Sequence, residues 1–543
     1  MKGHWILGAI LTIPSRTVMV SCRQRSEGQP THSFLHLTDV HVDPLNKGKY
    51  NPRKGIAYEF GSPLSGCDSP IALVNETFAF LANYHAEAAV DFVVWTGDNA
   101  RHDTDPALPR TEKEVYAQNE YIEKLVASIF DPTTIPIVPS LGNNDVPIHN
   151  HLPYHPDGSS PVLNFYLKLW SKYIPDDQKE TFRVGGYLVR QVAPGLQVVA
   201  LNTLYLWSSN EAVTECRNLT TAGGAHLQWL EKVLSKARYM NYRVYLSGHV
   251  APSELNYYPG CYQWFSYLSV HYQDVIAANV YGHQNLDHFF FPIASQEYDL
   301  LRADIRKFSA RSRGQSSTPI ADYFDALNGN KAVVEDSISN RELDALADKL
   351  RAVPVYDMSF TGRNSPLWLR EYAVYLLQHY KRVSKLKGPA GKAQVVLVSP
   401  AVVPAYNSAL RIYFYEAPSN TPLLIEETTA TSSVSETSPM HATAYRVVDY
   451  KQYFINLTHG SRDSGSLSRK PFYELEYSPK VDYGMNVAAD TQDWIHFSER
   501  MLGRRTDWDS GGDGFGSRRD EAARLKDLYF RYFVVSSGAK LGG

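Results

Sequence analysis

The sequence predicts an α/β fold whose central sheet is covered by helices on both faces. Two observations support this prediction: nearly continuous apolar runs of β-forming residues recur along the chain, and helical patterns lie between them. The predicted strands are Phe34–Thr38, Phe92–Thr96, Ile135–Pro139, Gln197–Leu201, Arg243–Ser247, Ala277–Tyr281, Gln394–Val398 and Arg411–Tyr415. The predicted helices are Ile71–His85, Glu112–Ile129, Asn164–Tyr173, Ala225–Arg238, Glu342–Ala352, Leu367–Lys385 and Thr491–Leu502. In such sheets, ligands bind at the loops beyond the carboxyl ends of the strands.

The chain of 543 residues is long enough for one large domain with insertions. We predict a core at 33–300, a helical and basic insertion at 301–390, a part at 391–503 that completes the domain, and a loose tail at 504–543. The insertion begins where basic residues crowd a polar stretch, namely Arg302, Arg306, Lys307, Arg311 and Arg313. A solvated loop is the simpler interpretation of that stretch, and binding of a polyanion is the alternative.

The overall composition is typical of a globular protein, since 43% of residues are hydrophobic and 12% aromatic. The formal net charge of -3 does not provide the positive electrostatic potential by which proteins attract nucleic acids. Any polyanion would therefore have to be held by a local basic patch or by metal ions.

The amino terminus predicts entry into the secretory route. One lysine precedes an apolar run from Trp5 to Ile13, which suits a signal peptide over residues 1–22. If Arg16 is tolerated within a longer apolar segment, the same region is a signal-anchor and tethers the protein to a membrane.

Glycosylation sequons and cysteines agree with that route. The sequons begin at Asn75, Asn218 and Asn456. The four cysteines, Cys22, Cys67, Cys216 and Cys261, allow three disulfide pairings. We favour Cys216 with Cys261, because both lie in loop-like segments of the same region.

An aspartate and a histidine stand two positions apart where the first predicted strand ends. In the stretch "FLHLTDVHVD", Asp39 and His41 share a face of the extended chain and can converge on one point. A carboxylate oxygen beside an imidazole suits a divalent cation, although the D-x-H pattern alone is common by chance.

Four further predicted strands end in a glycine that precedes a ligand-type residue. The residues are Asp98 in "TGD", Asn143, Asn144 and Asp145 in "GNND", His249 in "SGH", and His283 and Asn285 in "YGHQN". Glycine lets the backbone turn sharply, so that each following side chain can face a shared centre. We expect Asp145, like Asp287, to bond loop backbone rather than a metal.

The combined ligand set predicts a site for two divalent metal ions. Oxygen and imidazole ligands suit Mn, Zn, Mg, Co or Fe, and the absence of thiolates in the set argues against a structural zinc site. Seven candidate ligands are more natural for two ions than for one, and Asp98 would bridge them.

The ordered motifs D-x-H, G-D, G-N-x-D, G-H and G-H-x-N resemble the calcineurin-like metallophosphoesterase family, over Phe34 to Phe290. The sequence is still more similar to fungal endopolyphosphatases, relatives of the acid sphingomyelinase-like phosphodiesterases. "TGDNARHD", "YGHQNLDHF", "SPAVVPAYNSALRIYFYE" and "FYELEYSPKVDYGM" carry that closer resemblance. It implies a four-layer α/β/β/α metallophosphoesterase sandwich with a dinuclear metal site at one edge.

The resemblance also implies which residues hold each ion. The first ion would take Asp39, His41, Asp98 and Asn285, and the second would take Asp98, Asn143, His249 and His283. Two positions depart from the wider family, since Asn144 and Asn285 stand where it has histidines. Endopolyphosphatases share both changes, which marks a subgroup.

The predicted catalytic residues are His102 and Asn144. The Asn144 side chain can donate a hydrogen bond but cannot give up a proton, which is consistent with a phosphoanhydride substrate whose leaving group is already a stable anion. His102, four residues after Asp98, is the candidate phosphate contact or proton donor. Arg101 is its electrostatic partner, so the predicted substrate-binding residues are Arg101 and His102.

The implied activity is that of an endopolyphosphatase, which cuts internal phosphoanhydride bonds of inorganic polyphosphate. Two metal ions would activate a hydroxide that attacks phosphorus in line. One alternative is a phosphodiesterase acting on nucleotides or phospholipid head groups, and another is a catalytically silent polyanion-binding protein. A location in the vacuole lumen or membrane is inferred from the resemblance alone.

Overall fold

The computed structural model describes residues 32–45, 59–63, 66–103, 107–293, 366–386, 393–418, 444–457, 472–488, 490–504 and 518–534. The predicted leader, the basic stretch after Leu301, the helix Glu342–Ala352 and Cys22 lie outside these residues. Within them, twelve strands form two six-stranded sheets. The strands are β1 (His32–Leu37), β2 (Phe92–Trp95), β3 (Ile137–Pro139), β4 (Leu188–Ala193), β5 (Leu196–Ala200), β6 (Arg243–Val250), β7 (Ile276–Gly282), β8 (His288–Phe290), β9 (Val396–Val398), β10 (Ser408–Tyr415), β11 (Val447–Ile455) and β12 (Tyr473–Tyr477).

Each sheet combines a parallel part with antiparallel strands. The first has the order β12-β11-β10-β1-β2-β3, in which β1, β2 and β3 run parallel and β10, β11 and β12 pair antiparallel. The second has the order β4-β5-β6-β7-β9-β8, in which β5, β6, β7 and β9 run parallel. The parallel strands are buried along nearly their whole length, which explains why their sequences are continuously apolar.

Nine helices accompany the sheets in the described part of the chain. They are α1 (Ile71–Glu87), α2 (Glu112–Ile129), α3 (Pro161–Leu169), α4 (Lys179–Gly185), α5 (Ala222–Tyr239), α6 (Pro259–His271), α7 (Pro366–Val383), α8 (Thr491–Met501) and α9 (Arg518–Phe533). Helix α1 packs on the first sheet, where the rings of Phe80 and Tyr473 stack at 4.9 Å, and α5 contacts β6 of the second sheet. Between the sheets, the ring centroids of Phe34 and Tyr245 lie 5.4 Å apart. The two sheets thus pack against each other between helices, which confirms the α/β class and the four-layer sandwich that the resemblance implied. The expectation of a single sheet with helices on both faces is wrong, because one face of each sheet packs on the other sheet.

The C-terminal part of the chain contributes more to the core than its sequence indicated. Helix α7, predicted within the insertion, buries Leu376 and Tyr380 completely in the same hydrophobic core as the strands. Helix α9 follows the helix that we expected to be the last, and it lies in the segment predicted to be a loose tail. Its Phe533 is fully buried in that core, so this part of the prediction is wrong.

The cysteine prediction is confirmed, because Cys216 and Cys261 form a disulfide with a Cα–Cα distance of 4.9 Å. Among the sequon asparagines, Asn218 is exposed, whereas Asn75 and Asn456 are partly buried. No helix in the described ranges is both long and apolar enough to cross a bilayer.

Four histidines lie fully buried in the core, and burial lowers the pKa of each to about 3; they are His36, His226, His288 and His379. The His226 ring stacks on Tyr187 at 4.4 Å, and neither of its nitrogens has a hydrogen-bond partner among the described residues. A folded state that cannot accept these protons becomes less stable as the pH falls below 6.5, where the unfolded chain accepts them. The stability that neutral His226 contributes is complete above 6.5 and decreases from there towards pH 3.

We expect the melting temperature to fall between pH 7 and pH 5, and to fall less in His226→Phe. Phenylalanine keeps the stacking on Tyr187 but removes one proton-linked loss, which amounts to about 2 kcal/mol at pH 5 for an unfolded-state pKa near 6.5. The matched control is His271→Phe, because His271 also stacks on a tyrosine, Tyr267, but lies exposed at the end of α6. Equal acid sensitivity of His226→Phe and the wild type would contradict the expectation.

Candidate dinuclear metal centre

The backbone at the predicted ligands adopts a conformation that side-chain-bearing residues rarely take. Among the described residues, eight other than glycine have positive φ, and five of them are predicted ligands. These five are Asp39 (φ 51°), His41 (43°), Asp98 (57°), His283 (74°) and Asn285 (56°). Such strain persists only where the surrounding structure fixes it, and it concentrates at functional sites.

The glycines of the motifs permit a close approach of backbone to the ligand loops. A Cβ on Gly142 would lie 2.1 Å from Oδ1 of Asp98, and a Cβ on Gly282 would lie 2.4 Å from Oδ2 of Asp39. Gly97 has φ of 83°, which glycine adopts without strain. The strand-glycine-ligand pattern is therefore a steric requirement of this site.

The first predicted ion site is formed where β1 and β2 end. The backbone N–H of Asp39 donates to the carbonyl of Gly97, and that of His41 donates to the carbonyl of Asp98, which binds the two loops together. Nε2 of His41 lies 3.6 Å from Oδ1 of Asp39 and 3.3 Å from Oδ2 of Asp98. All three side chains are buried.

The second predicted ion site lies on the other side of Asp98. Nε2 of His249 is 3.2 Å from Oδ2 of Asp98, 2.9 Å from Oδ1 of Asn143 and 3.2 Å from Nδ1 of His283. The backbone N–H of His283 donates to Oδ2 of Asp39, which joins this group to the first. Asn285 follows His283 by two residues, and its side chain is also buried.

Two imidazole rings each have one nitrogen beside a backbone carbonyl oxygen and the other beside a carboxylate. Nδ1 of His41 lies 3.0 Å from the carbonyl oxygen of Ala100, and Nδ1 of His249 lies 2.8 Å from that of Thr96. A proton on each Nδ1 leaves Nε2 as the free ligand atom, the arrangement typical of metal-binding histidines. Burial lowers the pKa of both rings, but the neighbouring aspartates, Asp98 foremost, outweigh it and raise each to about 9.

The residues fit a pair of divalent cations. Oδ1 of Asp39, Nε2 of His41 and Oδ1 of Asn285 are buried and make no hydrogen bond within the described part of the chain. Buried polar atoms of this kind cost free energy unless something satisfies them, and a cation would satisfy all three. Carboxylate, imidazole and amide donors are also the ligand types that suit Mn, Zn, Fe or Mg.

Comparison with known proteins agrees with this geometry. Residues 32–286 match the family model of calcineurin-like phosphoesterases. Residues 32–286 are a calcineurin-like phosphoesterase domain. That membership implies divalent metal ions. Within the described residues the candidate ligand groups are those of Asp39, His41 and Asp98, of Asp98, His249 and His283, and of His41, Asp68 and His102.

Several curated fungal proteins named endopolyphosphatase are similar to this chain. One from Yarrowia lipolytica is 30% identical over 70% of this chain and 55% of its own length. One from Saccharomyces cerevisiae is 35% identical over 51% and 44%, and one from Cryptococcus neoformans is 37% identical over 48% and 43%. The chain thus spans about half the length of these relatives. A solved dimetal phosphatase from Danio rerio is 14% identical with a TM-score of 0.30, covering 48% of this chain and 84% of that one, too distant a likeness for any conclusion.

Two residues that are not predicted metal ligands, Asp145 and Arg110, hold the ligand loops in place. The Asp145 carboxylate accepts hydrogen bonds from the backbone N–H groups of Gly142, Asp98 and Asn99, as expected for a loop-bonding residue. Arg110 was missed: its guanidinium donates to the carbonyls of Arg101 and Asn144, at 2.8 and 2.7 Å. It therefore ties the loop after β2 to the loop after β3.

Asn144 and His102 both lie at the predicted metal centre, and the partner of His102 differs from the one that the sequence predicted. The Asn144 side chain donates to Oδ2 of Asp98 at 2.8 Å. The His102 ring stacks on His41 at 3.9 Å, and its Nδ1 lies 2.6 Å from Oδ1 of Asp68, a residue that the sequence analysis missed. The backbone N–H of His102 donates to the other Asp68 oxygen at 2.7 Å, so that both oxygens hold one residue.

Arg101 is placed differently from its predicted role. Its guanidinium donates to Glu114 at 2.7 Å and to the carbonyls of Leu108 and His102. The side chain is 6% exposed, so its charge is committed to an internal ion pair. These contacts correct the interpretation of Arg101 as the electrostatic partner of the His102 ring, because Asp68 occupies that position.

We expect divalent cations to stabilise the phosphoesterase domain strongly, because its ligand atoms are already assembled. A ligand present at 100 times its dissociation constant contributes about 2.7 kcal/mol to the free energy of unfolding. After treatment with EDTA, addition of Mn²⁺ should raise the melting temperature of the wild type by several degrees. Asp98→Asn should lose most of that increase, since it weakens both predicted ion sites.

Asp274→Asn is the matched control for this measurement. Asp274 is an exposed aspartate paired with Arg238, away from the ligand loops. Its variant should gain as much from Mn²⁺ as the wild type. The absence of a metal-dependent increase in the wild type, or an equal increase in Asp98→Asn, would exclude the predicted centre.

Proposed function

We propose that this protein is a metal-dependent hydrolase that cuts internal phosphoanhydride bonds of inorganic polyphosphate. The observation that carries the proposal is the convergence of carboxylate, imidazole and amide ligands on the buried Asp98, with the amide of Asn144 beside it. Curated relatives that share this chain's sequence over half its length or more are named endopolyphosphatases. The seven metal ligands proposed are Asp39, His41, Asp98, Asn143, His249, His283 and Asn285.

The chemistry divides between the cations and the chain. When bound, two divalent cations act as Lewis acids that lower the pKa of water and neutralise charge on phosphoryl oxygens. One side-chain N–H of Asn144 donates to Asp98, and the proposed role of the other is to donate a hydrogen bond to the phosphoryl group as charge develops there. Because a polyphosphate leaving group is already a stable anion, an amide that cannot supply a proton is adequate at this position.

His102 is proposed as a contact of the phosphoryl group, oriented by Asp68. The carboxylate fixes the proton on Nδ1 and sets the plane of the ring, while the His102 side chain keeps 29% of its surface exposed. This pair also favours a second candidate function, a phosphodiesterase acting on nucleotides or phospholipid head groups. An ester leaving group needs a proton more than a phosphoanhydride leaving group does, and a nearby imidazole can supply one.

A lumenal location is part of the proposal. The Cys216–Cys261 disulfide supports it, since disulfides persist in oxidising compartments. Glycosylation at the exposed Asn218 and residence in the vacuole are consistent with the same route.

The first test is incubation of the purified protein with long-chain polyphosphate and Mn²⁺, Zn²⁺, Mg²⁺ or Co²⁺, with products resolved on a gel. We expect metal-dependent shortening to intermediate lengths, with Asp98→Asn reduced by more than a hundredfold and Asp274→Asn unchanged. Release of single phosphates alone would indicate cleavage from the ends instead. Intact polymer with every metal, together with hydrolysis of a nucleotide diester, would replace the proposal with the phosphodiesterase.

The second test is Asp68→Asn, which should lower kcat by roughly 10- to 100-fold with a smaller change in KM. An asparagine side chain can donate a hydrogen bond to Nδ1 of His102. The ring proton would then sit on Nε2 instead of Nδ1, while the fold is kept. The control is Glu114→Gln, which loosens Arg101 but leaves the Asp68–His102 pair intact, and its activity should stay within about twofold of the wild type. If Asp68→Asn is as active as the wild type, His102 does not depend on Asp68 and its assigned role is wrong.

A further inference from the structure

The loop that carries Asn285 is supported by parts of the chain that lie far beyond it in sequence. The match to the calcineurin-like phosphoesterase model ends at residue 286, within this loop. Every support described below comes from residues after 366. The loop therefore connects the predicted metal centre to the C-terminal part of the protein.

Asn285 needs an accurate placement more than the predicted aspartate and histidine ligands do. It has φ of 56°, and its Oδ1 is buried without a hydrogen-bond partner in the ranges that the structure describes. A neutral amide oxygen is a weaker ligand for a cation than an aspartate carboxylate. Its contribution to binding therefore depends on being held in position before the cation arrives.

Asp287, two residues further on, is the point at which the loop is clamped. One carboxylate oxygen accepts a hydrogen bond from the guanidinium of Arg411 on β10, and the other accepts one from the hydroxyl of Tyr477 on β12. The backbone N–H of Asp287 donates to the carbonyl oxygen of Phe533 at the end of α9, at 3.1 Å. Three separate elements therefore hold one residue.

Arg411 is itself fixed from several directions. It is fully buried, its Nε donates to Gln452 at 2.8 Å, and its guanidinium lies 4.3 Å from the ring centroid of Tyr450. A buried guanidinium is costly unless it is paired, so the Arg411–Asp287 contact fixes the relative position of β10 and the loop. The ion pair therefore fixes the position of the loop that carries Asn285 relative to the first sheet.

The strand that follows the loop is anchored by helix α7. The Tyr372 hydroxyl lies 2.7 Å from Nε2 of His288, and the Tyr380 hydroxyl donates to the carbonyl of Phe289 at 2.7 Å. The backbone N–H of Phe291 donates to Nε2 of His379 at 3.0 Å. Residues 287 to 291 thus cannot shift without breaking several buried hydrogen bonds.

We propose that Arg411 and Tyr477 are positioning residues that act through Asp287 to set the affinity of the first ion site. The proposal rests on the dinuclear centre of the proposed function but not on its substrate. The C-terminal strands and helices hold Asn285 where it completes the ligand set of Asp39, His41 and Asp98. Loss of the clamp weakens this site and spares the second, because His249 lies within β6 and His283 directly follows β7.

The test measures Mn²⁺ bound per chain after equilibrium dialysis at graded free Mn²⁺, on the full-length protein. The main variant is the double substitution Asp287→Asn with Arg411→Met, which removes both charges together and so avoids an unpaired buried charge. Tyr477→Phe is a milder variant that removes a single hydroxyl. The control is Tyr173→Phe, which removes a buried hydroxyl that donates to Glu123, outside the loop and its supports.

The wild type should bind two Mn²⁺ ions per chain. In the double variant, one of the two sites should need roughly tenfold more free Mn²⁺ while the other is unchanged, so that an intermediate concentration fills one site instead of two. Tyr477→Phe should shift the same site by a smaller factor, and Tyr173→Phe should bind like the wild type. Circular dichroism without metal checks that each variant is folded.

A folded double variant that binds both ions with wild-type affinity overturns the proposal. So does a loss in Tyr173→Phe equal to that in Tyr477→Phe, because general loosening of the core would then explain both. If the double variant does not fold, Tyr477→Phe decides alone, and unchanged affinity there overturns the proposal. A wild type that binds two ions yet leaves polyphosphate intact refutes the proposed function only, whereas one that binds a single ion refutes this inference.

Discussion

The burial of the Asp98 carboxylate is the constraint on which the rest of this structure depends. Burial raises its pKa, but His249 and His41 outweigh that effect and hold the pKa well below its usual value. A buried carboxylate kept ionised must be surrounded by donors and positive charge, and here these come from both sheets. His41 follows β1 and Asn144 follows β3 in the first sheet, whereas His249 belongs to β6 in the second. The charge on Asp98 therefore constrains both how the two sheets pack and where their strands end.

Much of the fold was predictable, because its strong local patterns agree with its tertiary structure. The parallel strands are buried on both faces and read as continuous apolar runs, and Glu112–Ile129 has the bounds predicted for it. Helix α6 was missed because it is buried almost all round. The consecutive residues Gly260, Cys261 and Tyr262 point in different directions and are all buried, so the sequence shows no polar side. Helix α9 was missed for the opposite reason, since its charged residues hide the few positions that reach the core.

The predicted ligands share a local pattern, which is why sequence alone could group them into one candidate set. Each lies at or just after the end of a strand, and a glycine or an alternating D-x-H pair sets its direction, so no knowledge of distant contacts was needed. Asp68 and Arg110 carry no such mark, because their roles arise from contacts with His102 and Asn144 that are 34 residues away in each case. Arg101 was misassigned because adjacency in sequence was taken for adjacency of side chains, whereas its guanidinium turns away to Glu114.

The family match over residues 32–286 describes only part of the protein, because later residues complete both sheets. That region supplies every predicted metal ligand, yet two strands of its second sheet and half of its first come from later residues. Strand β10 lies between β1 and β11, so the strand that precedes Asp39 has a C-terminal neighbour along its whole length. A buried edge must be paired to satisfy its backbone groups, and β1 without β10 would expose its N–H and C=O groups at the edge of the core. The two parts of the chain are therefore one folding unit, and the metal centre lies where they close on each other.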